Sequence, residues 1–455
     1  MVGTEFYTGS RNRKPVNRGA AVSAPGLPRS RAARLVRILL YIAAATFPSA
    51  VGAQEADTTA AMQDTVRARA SLGSPDQVDN QLESDAQTRD PLVDFGFLDG
   101  YLGFKDELKE SSGLGFGIDY TAAYFGASAG LEADNAGSGI LRLFGAWDLV
   151  GRESGNTGAF VYKIEHRHSY ADVTPKFLGF NLGYAGMFAA PFNDDGFRVT
   201  NLYWRQKLDG GRFALLGGFL DATDYVDIFG LGSPWLHFMN LAFSTGAASI
   251  ALPNDGLLGL AGAAWLSDHM YAIASIGDNG SDPTDPFSGF DRFINVNEYF
   301  TSVEVGWTTA QDRAYFDNIH VTFWHSDEKS ETGDPSGWGI NASGTWLFEN
   351  RWMPFLRGGY AKDGGSLLEA SVSTGVGYQW IAGRDVLGLG LNWGKPNSTT
   401  WGEGLRDQYT VELFWRWQLG SQLAVTPDLQ LLINPANNPD ESSIWVFGVR
   451  GRFNL

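Results

Sequence analysis

The sequence predicts an all-β fold: a transmembrane antiparallel β-barrel of 16 strands, preceded by a short N-terminal helix. Three observations predict it. Apolar and polar residues alternate over strand-length stretches, a period of two that gives a strand two chemically different sides. The segments joining these stretches are short and long in turn, as in bacterial outer-membrane barrels. Beyond residue 53 there is no apolar run of about 18 residues, so a helical span is not available.

The elements are justified in chain order. Residues 1–53 read as an extended N-terminus and signal peptide: Arg29, Arg31, Arg34 and Arg37 are basic, Ile38 to Pro48 is apolar, and Val51-Gly52-Ala53 is a cleavage-type site before Gln54. The basic stretch before them is long for a signal, so the true translation start is expected downstream of Met1. Residues 54–95 are polar and poor in aromatics and read as a disordered periplasmic leader. Leu102 to Glu110 interleaves apolar residues with Lys and Glu, as in a short amphipathic helix.

The barrel is expected over 96–455. Leu114, Phe116, Ile118 and Tyr120 share one face, with Asp119 and Thr121 on the other. Leu368, Ala370, Val372 and Thr374 oppose Ser371 and Ser373; Leu387, Leu389 and Leu391 oppose Gly388, Gly390 and Asn392. Tyr409, Val411, Leu413, Trp415 and Trp417 oppose Thr410, Glu412, Arg416 and Gln418. The last strand sets Trp445, Phe447, Val449, Phe453 and Leu455 against Val446, Arg450 and Arg452. Asp209-Gly210-Gly211, Glu349-Asn350-Arg351, Ala382-Gly383-Arg384 and Gly420-Ser421 are short turns; 221–255, 278–297, 395–407 and 434–442 are long loops. About 17 segments qualify as strands, and an even number closes such a barrel, which favours 16 over 18.

Composition agrees. Mean hydropathy is only −0.16, because residues facing a lumen offset those facing lipid. Aromatics make up 13% of the chain, enough for girdles at both membrane interfaces. There is no Cys, which suits export through the periplasm. The formal charge is −17, and without residues 1–53, which hold eight basic side chains and one Glu, it becomes −24. So acidic a chain argues against a nucleic-acid partner. A soluble sandwich also alternates, but its outer face would rarely repeat Gly, Ser, Thr and Asn so evenly.

Several stretches resemble the carbohydrate-selective porin family of Gram-negative outer membranes. They are Thr200-Asn201-Leu202-Tyr203-Trp204, Leu220-Asp221-Ala222-Thr223-Asp224, Asn240-Leu241-Ala242-Phe243-Ser244, Asp282-Pro283-Thr284-Asp285-Pro286-Phe287, and Gln430 to Pro435 followed by Trp445 to Arg450. The resemblance runs over roughly 95–455. It implies a 16-stranded barrel that passes mono- or small oligosaccharides by diffusion, as a monomer or homotrimer. Outer-membrane lipids and the barrel insertion machinery are its other expected partners. A general diffusion porin is the alternative, separated only by solute preference.

A sugar pore needs aromatic faces for pyranose rings and charged or amide groups to replace the water lost at a constriction. With Tyr162 and Ile164 facing lipid, Lys163, Glu165 and Arg167 turn inward; with Leu202 and Trp204 outside, Tyr203, Arg205 and Lys207 turn inward. Late strands add Glu412, Arg416, Arg450 and Arg452. The 221–255 segment, with Asp221, Asp224, Asp227, Tyr225, Phe229, Trp235 and Phe238, is the candidate constriction loop. No cofactor or metal is expected. His166 and His168 share a strand face without a visible third ligand, and Asp278 to Asp285 departs from calcium-loop spacing. His325-Ser326-Asp327 holds triad residue types, but consecutive strand residues face opposite ways, and no G-x-S-x-G elbow stands at an expected strand-to-helix turn. The expectation is therefore a channel rather than an enzyme. An adhesive barrel would carry a bulky apolar lumen, unlike the polar one inferred.

Overall fold

The computed structural model describes residues 73–87, 92–152, 154–379 and 385–455. Among them sixteen strands form one closed barrel: β1 (Leu114–Ala127), β2 (Asn135–Val150), β3 (Gly158–Ser169), β4 (Gly196–Leu208), β5 (Phe213–Leu220), β6 (Leu257–Trp265), β7 (Met270–Asp278), β8 (Tyr299–Thr308), β9 (Asn318–Ser326), β10 (Gly337–Thr345), β11 (Trp352–Lys362), β12 (Leu368–Gln379), β13 (Val386–Pro396), β14 (Gln408–Gln418), β15 (Leu423–Ile433) and β16 (Ser443–Asn454). Each strand pairs antiparallel with its neighbour in sequence, and β1 closes on β16 with Tyr120 opposite Phe453. Closure leaves no free edge, so backbone polar groups are satisfied without water, as hydrocarbon requires.

Side-chain phase follows the alternation. On β14, Leu413, Trp415 and Trp417 are exposed outside while Thr410, Glu412 and Gln418 are buried inside. On β16, Trp445, Phe447 and Val449 are outside and Val446, Arg450 and Arg452 inside. Burying one large apolar side chain is worth about 1.5–3 kcal/mol, so an exterior studded with them is stable in lipid and not in water. Leu368 departs from the alternation. It is fully buried, because the β12–β13 register shifts between Leu368 and Ala370 and turns it inward.

The connections separate into two ends. Those at 209–212, 266–269, 346–351 and 419–422 are short; those at 170–195, 221–256, 279–298, 397–407 and 434–442 are long. Asn350 and Gly210 adopt φ of 52° and 61°, the left-handed backbone that a tight turn needs. The turn at Ala382-Gly383-Arg384 and the segment 1–53 lie outside the described residues. The N-terminal region corrects one expectation. Residues 54–95 were expected to be disordered throughout, yet Val78–Asp85 is a helix (α1) with Val78 and Gln81 buried. The expected amphipathic helix is present as α2, Asp99–Ser112, ended by Gly113 at φ 82°. It lies at the short-turn end, with Tyr101 against Phe116 of β1 and the preceding Phe95 against Phe453 of β16.

Candidate functional site: a constricted lumen

The 221–256 loop folds into the barrel. Its apolar side chains leave it no stable place in solvent: Tyr225, Phe229, Trp235, Phe238 and Phe243 are all buried. They meet aromatic residues of the wall, Phe238 on Phe414 of β14 at 4.8 Å and Phe229 on Phe355 of β11 at 5.6 Å. Glycines in the wall make room. A Cβ at Gly390 would lie 2.7 Å from Phe243, and one at Gly377 would lie 2.9 Å from Leu231.

Polar side chains of the wall then tie the loop down. Arg450 donates to the carbonyls of Pro234 (2.7 Å) and His237 (3.1 Å). Glu412 accepts the N–H groups of Met239 (2.5 Å) and Asn240 (3.0 Å). The Ser373 hydroxyl donates to Ala242 (2.7 Å), Arg357 to Ser244 (2.7 Å), and Asn341 to Gly246 (3.0 Å). These anchors come from β16, β14, β12, β11 and β10 in order, so the loop runs along that half of the wall. Its first turn is pinned by Asp227, whose carboxylate pairs with Arg357 and accepts from His320 (2.9 Å) and the Gly246 N–H (2.7 Å).

What remains open lies against β3 and β4. A cavity of about 240 Å³ beneath the long loops is bordered by Lys163, Glu165, Arg167, Arg198, Asp221, Trp235 and Asp255. Cations and carboxylates are interlocked there. Arg167 donates to Glu165 and to Asp255, both at 2.7 Å, and Arg198 pairs with Asp255 and Asp195. Burial raises the Asp255 pKa, but Arg167 and Arg198 outweigh it and hold it down at about 2. Deeper in, Lys163 lies 3.6 Å from Asp224. Burial pushes Asp224 up to about 7 despite that lysine, and burial raises Asp221 as well. The Arg142 guanidinium lies over the Trp235 ring at 3.9 Å, and Phe192 packs against that ring at a tilt, 5.5 Å between centroids.

Of the residues singled out in the sequence, Lys163, Glu165, Arg167 and Asp221 line this cavity, and Arg205 lines a second one toward the short-turn end. Trp235 borders the first cavity as well, and Lys207 and Tyr225 border the second, whereas Tyr203, Asp224, Asp227, Glu412 and Arg416 are inside the barrel but on neither cavity. Tyr203 packs in an apolar cluster with Phe144, Val161 and Tyr225. Asp224 is bonded to Asn201 at 2.9 Å and fully covered. Asp227 and Glu412 are loop anchors, and Arg416 donates to Gln418 at 2.6 Å. Two residues were missed. Arg198 has the outward phase on strict alternation, but the β3–β4 register jumps at Thr200 and turns it inward. Asp255 lies at the end of the loop, where only the fold reveals its two arginines.

Other constellations resolve differently. His166 and His168 are on the outer face, against Phe197 and Tyr120. The Asp278 carboxylate accepts the Leu258 N–H (2.9 Å), and Asp282 caps Thr284 (2.9 Å). Among the described residues no group of three His, Cys, Asp or Glu is placed to hold a metal ion. His325 is exposed while Ser326 is fully buried, on opposite faces of β9.

A closed sixteen-stranded barrel, apolar outside and narrowed by an inward loop anchored to its wall, defines a porin-type channel. Residues 309–455 match the family model of the carbohydrate-selective porin, OprB family, which bears out the resemblance seen in the sequence over that stretch. The Pseudomonas putida OprB structure at high pH is similar in fold, with TM-score 0.61 and 15% identity over 78% of this chain and 97% of that one. Porin AaxA of Chlamydia abortus is 35% identical over 72 residues, 15% of this chain. That aligned stretch spans 16% of the curated relative's length.

Proposed function

We propose that this chain is a passive outer-membrane channel for mono- or small oligosaccharides, with Lys163, Glu165, Arg167, Arg198, Asp221 and Asp255 as its solute-contacting set. The observation that carries the reading is the interlocked row of cations and carboxylates left open beside the inward loop. A neutral polyhydroxyl solute both donates and accepts, so it can exchange each lost water for an arginine N–H or a carboxylate oxygen. Fixed opposite charges across a narrow passage order water and favour such solutes over apolar ones. Trp235 and Pro234, beside the same cavity, offer apolar surface to a pyranose face. The family match over 309–455 supports the same solute class. Passage needs no chemical step, so the role of every residue here is to bind weakly and release.

Liposome swelling tests this. Vesicles carrying the protein should swell faster in isotonic glucose or maltose than in amino acids of similar size. Equal rates for both would leave a general diffusion pore, and no swelling with a folded barrel would refute transport.

A further inference from the structure

The segment 73–87 stands inside the barrel. Ser74, Asp76, Gln77 and Val78 are at most 6% exposed, and Val78 packs among Phe144, Val161 and Tyr225. Asp76 borders the cavity beneath the long loops. Its neighbour Gln77 borders the second cavity, also about 240 Å³, which lies toward the short turns beside Arg205, Lys207 and Gly210. Two adjacent residues thus face the two halves of one passage, and the segment is the partition between them.

The contacts that hold it are mainly polar. Asp79 pairs with Arg205, and Asp85 receives two bonds from Arg452 at 2.7 and 2.6 Å. The Ser74 N–H donates to the Asp224 carbonyl at 2.8 Å, and the Ser233 hydroxyl donates to the Asp76 carboxylate at 2.5 Å. The helix has eight residues and no side-chain cap at its N-terminus, too little to persist alone. Its apolar burial is Val78, with Leu82 partly buried. The barrel does not need it, since every strand is already paired on both sides. A short element that buries little apolar surface and lies outside the strand ladder belongs to the low-stability end of a fold, where elements that move are found.

We propose that residues 73–87 are an autoinhibitory plug, which closes the passage and opens it by withdrawing toward the short-turn end, where α2 already lies. The proposal rests on the pore reading above.

Single-channel recording in planar bilayers tests it with two variants. The double variant Asp79→Asn/Asp85→Asn loosens the plug and should raise the open probability at least tenfold over the natural chain. The pair Asp76→Cys/Ser233→Cys places two thiols where a hydrogen bond now joins the side chains, in a chain with no other Cys. Oxidised, this variant should stay closed; reductant added to the same channels should restore gating. Because one folded protein is read in two redox states, misfolding cannot imitate the result. Steady, equal conductance in all forms would overturn the plug and leave the pore standing. Absence of current from every form, reduced or oxidised, would overturn both.

Discussion

Asp227→Asn exchanges one oxygen for an amide nitrogen and tests what holds the constriction in place. The carboxylate is buried, accepts from the Gly246 N–H at 2.7 Å and from His320 at 2.9 Å, and pairs with Arg357. Burial raises its pKa, but Arg357 outweighs that and holds it below the usual carboxylate range, so it is the counter-ion of the site. Asn tolerates the left-handed backbone at this position, φ 50°, so strain does not enter the comparison. The amide nitrogen brings a donor to a place surrounded by donors. Arg357, 2% exposed, keeps the Ser244 carbonyl at 2.7 Å and Ser343 at 3.2 Å but loses its charge partner. Breaking a buried pair by removing one partner costs about 3–5 kcal/mol. Glu304, 3.9 Å from the His320 ring, compensates part of this, so the expected loss is the low end, about 3 kcal/mol. At about 1.4 kcal/mol per tenfold, the population with the loop detached rises roughly a hundredfold. Amide hydrogen exchange measures it at Met239 and Asn240, which are bonded to Glu412 and report whether the loop lets go as a unit. Open-channel current should also become noisier. Unchanged exchange across 225–250 with unchanged current would refute the anchoring role of Asp227.

Further expectations concern lipid phase, pH and solute contact. Leu413→Arg, at the centre of β14 on its outer face, should destabilise the inserted barrel by about 2–4 kcal/mol, whereas Trp417→Arg near the strand end should cost about 0–1 kcal/mol; equal effects in a lipid-refolding titration would contradict the assigned phase. Asp224 has a folded pKa near 7, above its unfolded value, so the folded state holds the extra proton between the two. Stability should therefore rise as pH falls from about 7 toward about 4 and be flat above, with Asp76 and Asp221 shifted in the same direction. Denaturation midpoints read across that range should lose most of this slope in Asp224→Asn. Arg167→Ala removes the group that bridges Glu165 and Asp255 and should weaken sugar block about tenfold while the barrel still assembles; undiminished block would remove Arg167 from the solute path.

Strand phase was legible because a membrane wall enforces it: each outward residue meets lipid, so the period of two recurs from strand to strand between β1 and β16. The inward loop was legible for a related reason, since Tyr225, Phe229 and Phe238 beside three aspartates have no good place in solvent. Alternation fails where one residue is inserted. The register jumps at Thr200 and beside Leu368 inverted Arg198 and Leu368, and no local pattern announces either. Inward phase also does not separate a solute-facing charge from a loop anchor. Glu412 and Lys163 read alike, and only the path of the loop, whose Met239 is 173 positions from Glu412 in sequence, divides them. The helix at Val78–Asp85 was hidden because its partners, Arg205 and Arg452, lie far along the chain and its own composition is that of a polar linker.

The most direct test is single-channel conductance of the refolded chain in a planar bilayer, with glucose and maltodextrins titrated at constant ionic strength. The account predicts that the open-state current falls in a saturable way with sugar and not with amino acids of similar size. Open channels whose current ignores sugar would contradict it.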